Sequence, residues 1–171
     1  MLFRSRIGAR VSREAASQIC ANGAGIPCIG FGTFGMRGAK LKGLLIHAIR
    51  AGFRHIDTAQ VYGNEDAVGE GVQASGIPRD DVFITTKVWV ENYSQARFDR
   101  SVDGRSLKAL RTDYIDLLML NWPSSPVPLE AQIECLNLCG NCQMCCWFSA
   151  NIMTNRSVSS GQTFTGGLSH G

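Results

Sequence analysis

The chain of 171 residues has little charge, few prolines and no long apolar run. Only 18% of its residues are charged and its net charge is +3, with lysine and arginine spread along the chain without interleaved aromatic residues. This pattern excludes an extended basic face for nucleic acid. The apolar run at 115–120 falls far short of the ~20 residues that a membrane span needs, so no membrane partner is expected.

The seven cysteines do not follow the pattern of a disulfide framework. Cys20, Cys28 and Cys135 are widely separated, and free thiols fit the reducing environment of the cytoplasm. Residues 1–20 carry four arginines against the single acid Glu14 and have no apolar secretory core. We expect this segment to be a disordered extension or the result of a wrongly assigned translation start site, with an organelle transit peptide as the alternative. We expect the protein to be located in the cytoplasm.

Short apolar runs alternate four times with segments of helical periodicity. The predicted strands are 26–32, 53–56, 82–86 and 114–120, and the predicted helices are 41–49, 65–74, 94–110 and 129–138. Parallel strands joined by helical crossovers satisfy this alternation. Because a complete (β/α)8 barrel needs about 250 residues, the prediction is an α/β fold: a partial (β/α)8 TIM barrel of about four βα units.

Three of the predicted units end in polar residues. The segments are His55-Ile-Asp-Thr-Ala-Gln-Val-Tyr-Gly-Asn-Glu65, Thr85-Thr-Lys-Val-Trp89 and Leu120-Asn-Trp-Pro123. Parallel barrels present their catalytic groups at the carboxyl ends of their strands. A structural alternative exists for each residue alone: Asp57 caps a helix, Tyr62 packs, and Lys87 is a solvated strand end. The three together favour a catalytic site.

These segments resemble the aldo-keto reductases, which transfer a hydride between NADPH and a carbonyl, and the resemblance covers residues 21–138. It implies that NADP(H) is the cofactor and a small aldehyde or ketone the substrate. Hydride transfer to a carbonyl leaves an alkoxide that needs a proton. The resemblance assigns that proton to Tyr62, with Lys87 lowering the pKa of the phenol and Asp57 holding the lysine in place.

The third segment has Asn121 where the family has a histidine that orients the carbonyl. The amide can donate a hydrogen bond but cannot transfer a proton as an imidazole does. Activity of the chain is therefore in question. Trp89 and Trp122 would wall the substrate pocket by the same resemblance, although aromatic residues at strand ends are often plain core.

The stretch Gly30-Phe-Gly-Thr-Phe34 resembles the first loop of the family, so Gly32, Thr33 and Phe34, together with Asp57, are predicted to contact the nicotinamide side of the cofactor. A glycine removes the side chain that would block such an approach. In the family, the residues that hold the 2′-phosphate come from the second half of the barrel. The resemblance does not reach that half, so NADP(H) is implied by the family alone and not by a phosphate-binding residue at 21–138.

The predicted helix 94–110 is one residue longer than the family pattern. An additional residue turns every later side chain by about 100° around a regular helix axis. Gly104 lies inside it and costs about 1 kcal/mol relative to alanine.

Residues 139–171 resemble nothing in the family and are predicted to be an irregular tail, rich in cysteine and then in serine, threonine and glycine. Cys139, Cys142, Cys145 and Cys146 have a spacing similar to that of thiolates around zinc or an iron–sulfur cluster, so metal binding is an alternative function. A frameshift is a further explanation, because reading one base later from Cys146 permits Ala-Gly-Leu-Ala-Arg, which resembles the family. A non-catalytic remnant and self-association through exposed barrel edges are the remaining possibilities.

Overall fold

A computed structural model describes residues 18–21, 24–122, 126–139 and 142–147, the last of these as backbone only. Five parallel strands form one sheet in the order in which they occur along the chain. They are β3 (Gly30–Gly32), β4 (His55–Asp57), β5 (Phe83–Val88), β6 (Ile115–Leu120) and β7 (Cys142–Trp147). The register pairs Gly32 with Asp57 and Asp57 with Thr85, so the carboxyl ends of neighbouring strands lie along one edge.

Helices lie between successive strands, as parallel pairing requires. They are α1 (Gly38–Arg50), α2 (Glu65–Ser75), α3 (Gln95–Ser101), α4 (Leu107–Leu110) and α5 (Leu129–Leu138). The helices predicted at 65–74 and 129–138 are confirmed, and α2 ends at Gly76, whose φ of 79° is the left-handed conformation that glycine favours. In the described part of the chain, no helix is long and apolar enough to cross a membrane.

An antiparallel hairpin precedes the sheet. Its strands are β1 (Gln18–Ala21) and β2 (Ala24–Pro27). The single strand predicted at 26–32 is therefore wrong, because β2 pairs with β1 and β3 begins only where Gly30 meets His55. The expected extension 1–20 also runs too far, since Gln18 is already paired with Pro27, while residues 1–17 lie outside the described part.

The core lies between the sheet and the helices. Its buried apolar side chains include Leu41, Leu45, Ile49, Ile56, Val68, Ile84, Val88, Phe98, Leu107, Leu110, Ile115, Leu118, Leu120 and Leu136. Helix α2 packs so close to the end of α4 that a Cβ on Gly69 would lie 2.4 Å from the Ala109 carbonyl oxygen. Neither backbone can yield to that overlap, so this position requires glycine.

The helix predicted at 94–110 does not run as one regular α-helix. Between α3 and α4 the chain forms one π-helical segment, Val102–Ser106, which contains Gly104. A π-turn holds one residue more than an α-turn and is the usual way in which a helix accommodates an insertion. The predicted rotation by about 100° is therefore absorbed locally, and Leu107 and Leu110 of α4 remain buried.

The predicted irregular tail is wrong for residues 142–147. These residues form β7, which extends the sheet by pairing in parallel with β6 from Ile115 to Leu120. The prediction overlooked this strand because cysteine and glutamine within it obscure the apolar pattern. The side chains of Cys142, Cys145 and Cys146 lie outside the described part, so the metal-binding alternative stays a prediction. Among the described side chains, no group of three or more possible ligands is placed to hold a metal ion.

Candidate active site

The carboxyl ends of β4 and β5 bring an acid and a base into contact. The Lys87 Nζ donates to Asp57 Oδ1 at 2.6 Å and to the Thr58 carbonyl oxygen at 3.0 Å. The lysine side chain is 15% exposed, whereas that of Asp57 is 38% exposed. This contact follows from parallel pairing, because Asp57 faces Thr85 across the sheet and Lys87 lies two residues further along β5. The predicted partnership of these two residues is present.

Tyr62 lies beside this ion pair. The 3₁₀ turn Gln60–Tyr62 follows β4 directly, and Gly63 ends it in the left-handed conformation at φ 59°. The Lys87 Nζ is 5.6 Å from the centroid of the Tyr62 ring. The ring also meets that of Phe34 edge-on, with 5.1 Å between centroids. The structure thus places the ring of Tyr62 beside the ion pair of Lys87 and Asp57.

The pKa of Tyr62 does not shift as the sequence suggested. Burial raises the pKa of the phenol, and the negative charge of Asp57 raises it further. The Lys87 ammonium, 2.6 Å from Asp57, does not reverse this shift. Tyr62 therefore carries its proton at neutral pH, which is the form that a proton donor needs.

The first loop lies next to Asp57. Thr33 is fully buried, and both its backbone N–H and its hydroxyl donate to the Asp57 carbonyl oxygen, at 3.0 and 3.1 Å. A Cβ on Gly32 would meet nothing within 4 Å, so the glycine borders open space. Phe34 is 78% exposed. Gly32 and Phe34 thus flank an open surface, while the Thr33 hydroxyl is occupied in joining β3 to β4.

Asn121 and the two predicted pocket tryptophans lie at the ends of β5 and β6. The Asn121 backbone N–H donates to the Val88 carbonyl oxygen at 3.1 Å. Trp89 is half-buried, and Trp122 is 61% exposed. The Tyr93 hydroxyl donates to the Trp122 carbonyl oxygen at 2.7 Å and accepts from its N–H at 3.1 Å, and so ties the loop after β5 to the end of β6.

Sequence reasoning missed the buried polar residues that support this arrangement. Asn64 directly precedes α2, but its side chain makes no cap bond. Instead its amide donates to the carbonyl oxygens of Thr33 and Met36, both at 2.9 Å, and accepts from the Thr58 hydroxyl at 2.9 Å. It holds three loops together, and only its place inside the motif that carries Asp57 and Tyr62 could have signalled this role.

Glu65 is a second residue that was missed. It begins α2, is 5% exposed, and accepts hydrogen bonds from the hydroxyls of Thr86 at 2.7 Å and Ser106 at 3.1 Å. Burial raises the pKa of its carboxyl, and the two hydroxyls oppose that shift. Gln60 is a third such residue, with contacts to Ser101 and to the loop that carries Trp89 and Asn92.

Comparison with known proteins agrees with this geometry. The sequence profile of the Aldo/keto reductase family matches residues 28–140. The chain belongs to the aldo/keto reductase family. It is 46% identical over 99 residues to methylglyoxal reductase DkgB of Salmonella typhi, a match that covers 58% of this chain and 37% of that protein. It is 40% identical over 124 residues to aldehyde reductase YPR1 of Saccharomyces cerevisiae, covering 71% of this chain and 37% of that protein.

Solved structures of aldo/keto reductases confirm the partial (β/α)8 barrel. A putative 2,5-diketo-D-gluconic acid reductase B superposes with a TM-score of 0.74 at 52% identity, covering 77% of this chain and 48% of that one. An aldo/keto reductase from Brucella melitensis superposes with a TM-score of 0.64 at 34% identity, covering 74% of this chain and 50% of the other. The chain thus spans about half the length of these structures.

Proposed function

We propose that this chain carries the proton-transfer half of an NADPH-dependent aldo/keto reductase site and reduces an aldehyde or ketone to an alcohol. The observation that supports this most directly is the ion pair of Lys87 and Asp57 beside the ring of Tyr62. Relatives of the chain bear the names methylglyoxal reductase, aldehyde reductase and glycerol 2-dehydrogenase (NADP(+)), which fit a carbonyl or alcohol substrate.

Each of the three residues has a separate task in this proposal. Tyr62 donates its phenolic proton to the carbonyl oxygen as that oxygen becomes an alkoxide, which leaves an alcohol and the Tyr62 phenolate. Lys87 stabilises the phenolate that remains through its positive charge, which lies 5.6 Å from the centre of the Tyr62 ring. Asp57 holds the ammonium in place at 2.6 Å and keeps the site close to neutral.

The residues around Gly32 fit the nicotinamide end of the cofactor. The open space at its Cβ position lies where β3 pairs with Asp57, so a planar ring can approach the backbone there without a clash. Reduced nicotinamide, when bound, supplies the hydride. In this proposal Gly32 and Phe34 border its ring. Thr33 does not contact the ring and instead holds the backbone of Asp57 in place through a hydrogen bond.

Asn121 takes the place of the family histidine in this proposal. Its backbone is held at the end of β6 by the Val88 carbonyl oxygen, so its side chain starts from the same edge as Lys87. A carboxamide there donates a hydrogen bond to the carbonyl oxygen and orients it, but Tyr62 alone supplies the proton. Trp89 and Trp122 border the substrate in the same proposal.

The assay that tests this function measures NADPH oxidation by the purified chain with a small aldehyde such as methylglyoxal. We expect aldehyde-dependent turnover, and we expect Tyr62→Phe to reduce it by about 10²-fold to 10⁴-fold, the usual value of a positioned general acid. Tyr114→Phe is the matched control, because its hydroxyl donates to Asp80 and this phenol lies just before β6, at the opposite end of that strand. Turnover by the Tyr62→Phe chain at the unmodified rate would exclude Tyr62 as the donor, and no turnover by the unmodified chain would favour a non-catalytic remnant.

The cytoplasm remains the proposed location. The thiols of Cys20, Cys28 and Cys135 form no disulfide in the described part of the chain, which is compatible with a reducing compartment.

Self-association through the sheet edges is a further proposal. In the described part, β3 and β7 each pair with only one neighbouring strand. Unpaired backbone groups along a parallel strand favour pairing with another chain. We expect the mass of the purified chain in sedimentation equilibrium to exceed 18.6 kDa and to rise with protein concentration. A constant monomer mass would contradict this proposal.

A further inference from the structure

The side chain of Gln60 joins three segments around the active site. It is 5% exposed, and its Nε2 donates to the hydroxyls of Ser101 and Ser106, both at 3.1 Å. Its Oε1 accepts from the backbone N–H of Trp89 and from the side-chain amide of Asn92, both at 3.0 Å. A carboxamide has two N–H donors and two acceptor positions, so every one of them is used.

The π-helical segment is what allows both serines to reach Gln60. Ser101 and Ser106 are five residues apart, and in a regular α-helix residues at that spacing lie about 140° apart around the axis. The π-turn forms hydrogen bonds between residues five apart and thereby aligns them. The additional residue that the sequence showed in this helix is thus accommodated without losing either serine from the contact with Gln60.

Hydrogen bonds also connect Ser106, through Glu65, to Thr86 of β5. The Ser106 hydroxyl donates to Glu65 Oε2 at 3.1 Å, and the Thr86 hydroxyl donates to Glu65 Oε1 at 2.7 Å. Thr86 precedes Lys87 in β5. Gln60 therefore connects the turn that carries Tyr62 with the strand that carries Lys87, through groups that water does not reach.

We propose that Gln60 is a positioning residue of the active site: its carboxamide, held by Ser101 and Ser106 of the π-helical segment, sets the position of the Tyr62 turn relative to the Trp89 loop. The proposal rests on the proposed function for its effect on turnover. Gln60 itself touches no reacting atom. It acts because Tyr62 lies two residues later in the same 3₁₀ turn, while the Trp89 N–H is bound to the other end of the same carboxamide.

The test compares Gln60→Met, which keeps the shape of the side chain and removes all four hydrogen bonds, with Ile49→Val, a core change in α1. Two quantities are measured for each purified chain: the exchange rate of the Trp89 backbone N–H by NMR, and kcat and KM for aldehyde reduction. In Gln60→Met we expect the Trp89 N–H to exchange about tenfold faster, since one hydrogen bond contributes near that factor. We expect kcat to fall roughly tenfold to 10²-fold as Tyr62 moves, with KM changed by less than about threefold.

Ile49→Val lowers thermal stability but is expected to leave both quantities unchanged, which separates positioning from general loosening. Deletion of Gly104 is the second matched variant. It shortens the spacing of the two serines to four residues, which share one face of a regular α-helix. We therefore expect it to keep Trp89 N–H exchange and kcat within about twofold of the unmodified chain. Should Gln60→Met fail to fold, Ser101→Ala and Ser106→Ala each remove one of the hydrogen bonds to Gln60 and are expected to accelerate exchange to a smaller extent.

Unchanged Trp89 N–H exchange in Gln60→Met, or in both serine variants, would overturn the proposal. So would a Gly104 deletion that is as damaging as Gln60→Met. The exchange measurement needs no turnover. If the unmodified chain does not oxidise NADPH, the proposed function fails while the exchange rates still decide whether Gln60 holds the two loops together.

Discussion

Replacing Lys87 by methionine is expected to lower the rate of carbonyl reduction by about 10²-fold to 10³-fold, the loss that follows removal of one preorganised electrostatic contact. The ammonium lies 5.6 Å from the centre of the Tyr62 ring and offsets the charge of Asp57. Without it, the phenolate that forms on proton transfer faces an uncompensated carboxylate. Stopped-flow or steady-state NADPH oxidation, with the cofactor saturating, measures the effect.

The pH dependence of the reverse reaction gives this prediction a second readout. Burial and Asp57 already raise the pKa of Tyr62 above its usual value near 10. Loss of the lysine leaves Asp57 unopposed and raises that pKa further. Alcohol oxidation needs the phenolate, so its rate increases as the pH rises through the pKa of Tyr62. We expect this increase to occur at higher pH in Lys87→Met than in the unmodified chain.

Stability is expected to change little in Lys87→Met, because the Asp57 side chain is 38% exposed and water can solvate it. Lys40→Met, on the exposed face of α1, is the control for loss of a lysine charge. Equal turnover in Lys87→Met and Lys40→Met would show that the ammonium has no part in the reaction.

Replacing Arg79 by methionine is expected to destabilise the fold by about 3–5 kcal/mol, the usual result of leaving a buried charge without its partner. The guanidinium donates to Asp116 Oδ2 at 2.6 Å and to the Tyr114 carbonyl oxygen at 3.1 Å, and it stacks 4.1 Å from the centre of the Tyr114 ring. The two charged side chains are only 20% and 10% exposed. After the change, Asp116 still accepts the hydrogen bond from the Ile84 N–H at 2.8 Å, but no positive charge lies beside its carboxylate.

Urea unfolding followed by circular dichroism measures this effect. Lys42→Met is the matched control, since the pair of Lys42 and Glu70 is 40% and 38% exposed and such surface pairs contribute about 1 kcal/mol or less. The double variant Arg79→Met with Asp116→Leu is expected to regain part of the loss, because no unpaired charge remains. A drop for Arg79→Met no larger than that for Lys42→Met would mean that the Arg79 pair contributes no more than a surface contact.

The parts of the fold that local pattern determines were predicted well. The β-branched and aromatic run at 82–86 overlaps the first four residues of β5, and the segment of helical periodicity at 65–74 forms α2. Each of these segments has a clear period, and α2 also has a stop signal at its end. The run at 142–147 has no such period. It is a strand because β6 offers it an edge of backbone groups, and only the sheet contains that information.

The sequence by itself determined which chemical groups are present and that parallel strands would carry them to one edge: Asp57, Tyr62 and Lys87 each stand just after a run that is apolar enough to be buried. Only the tertiary structure decided how these groups act on one another. Burial and the carboxylate of Asp57, rather than the lysine, set the pKa of Tyr62, and a π-turn cancels the rotation that an additional residue would have caused. Both outcomes depend on distances between segments far apart in the chain, and local sequence does not encode those distances.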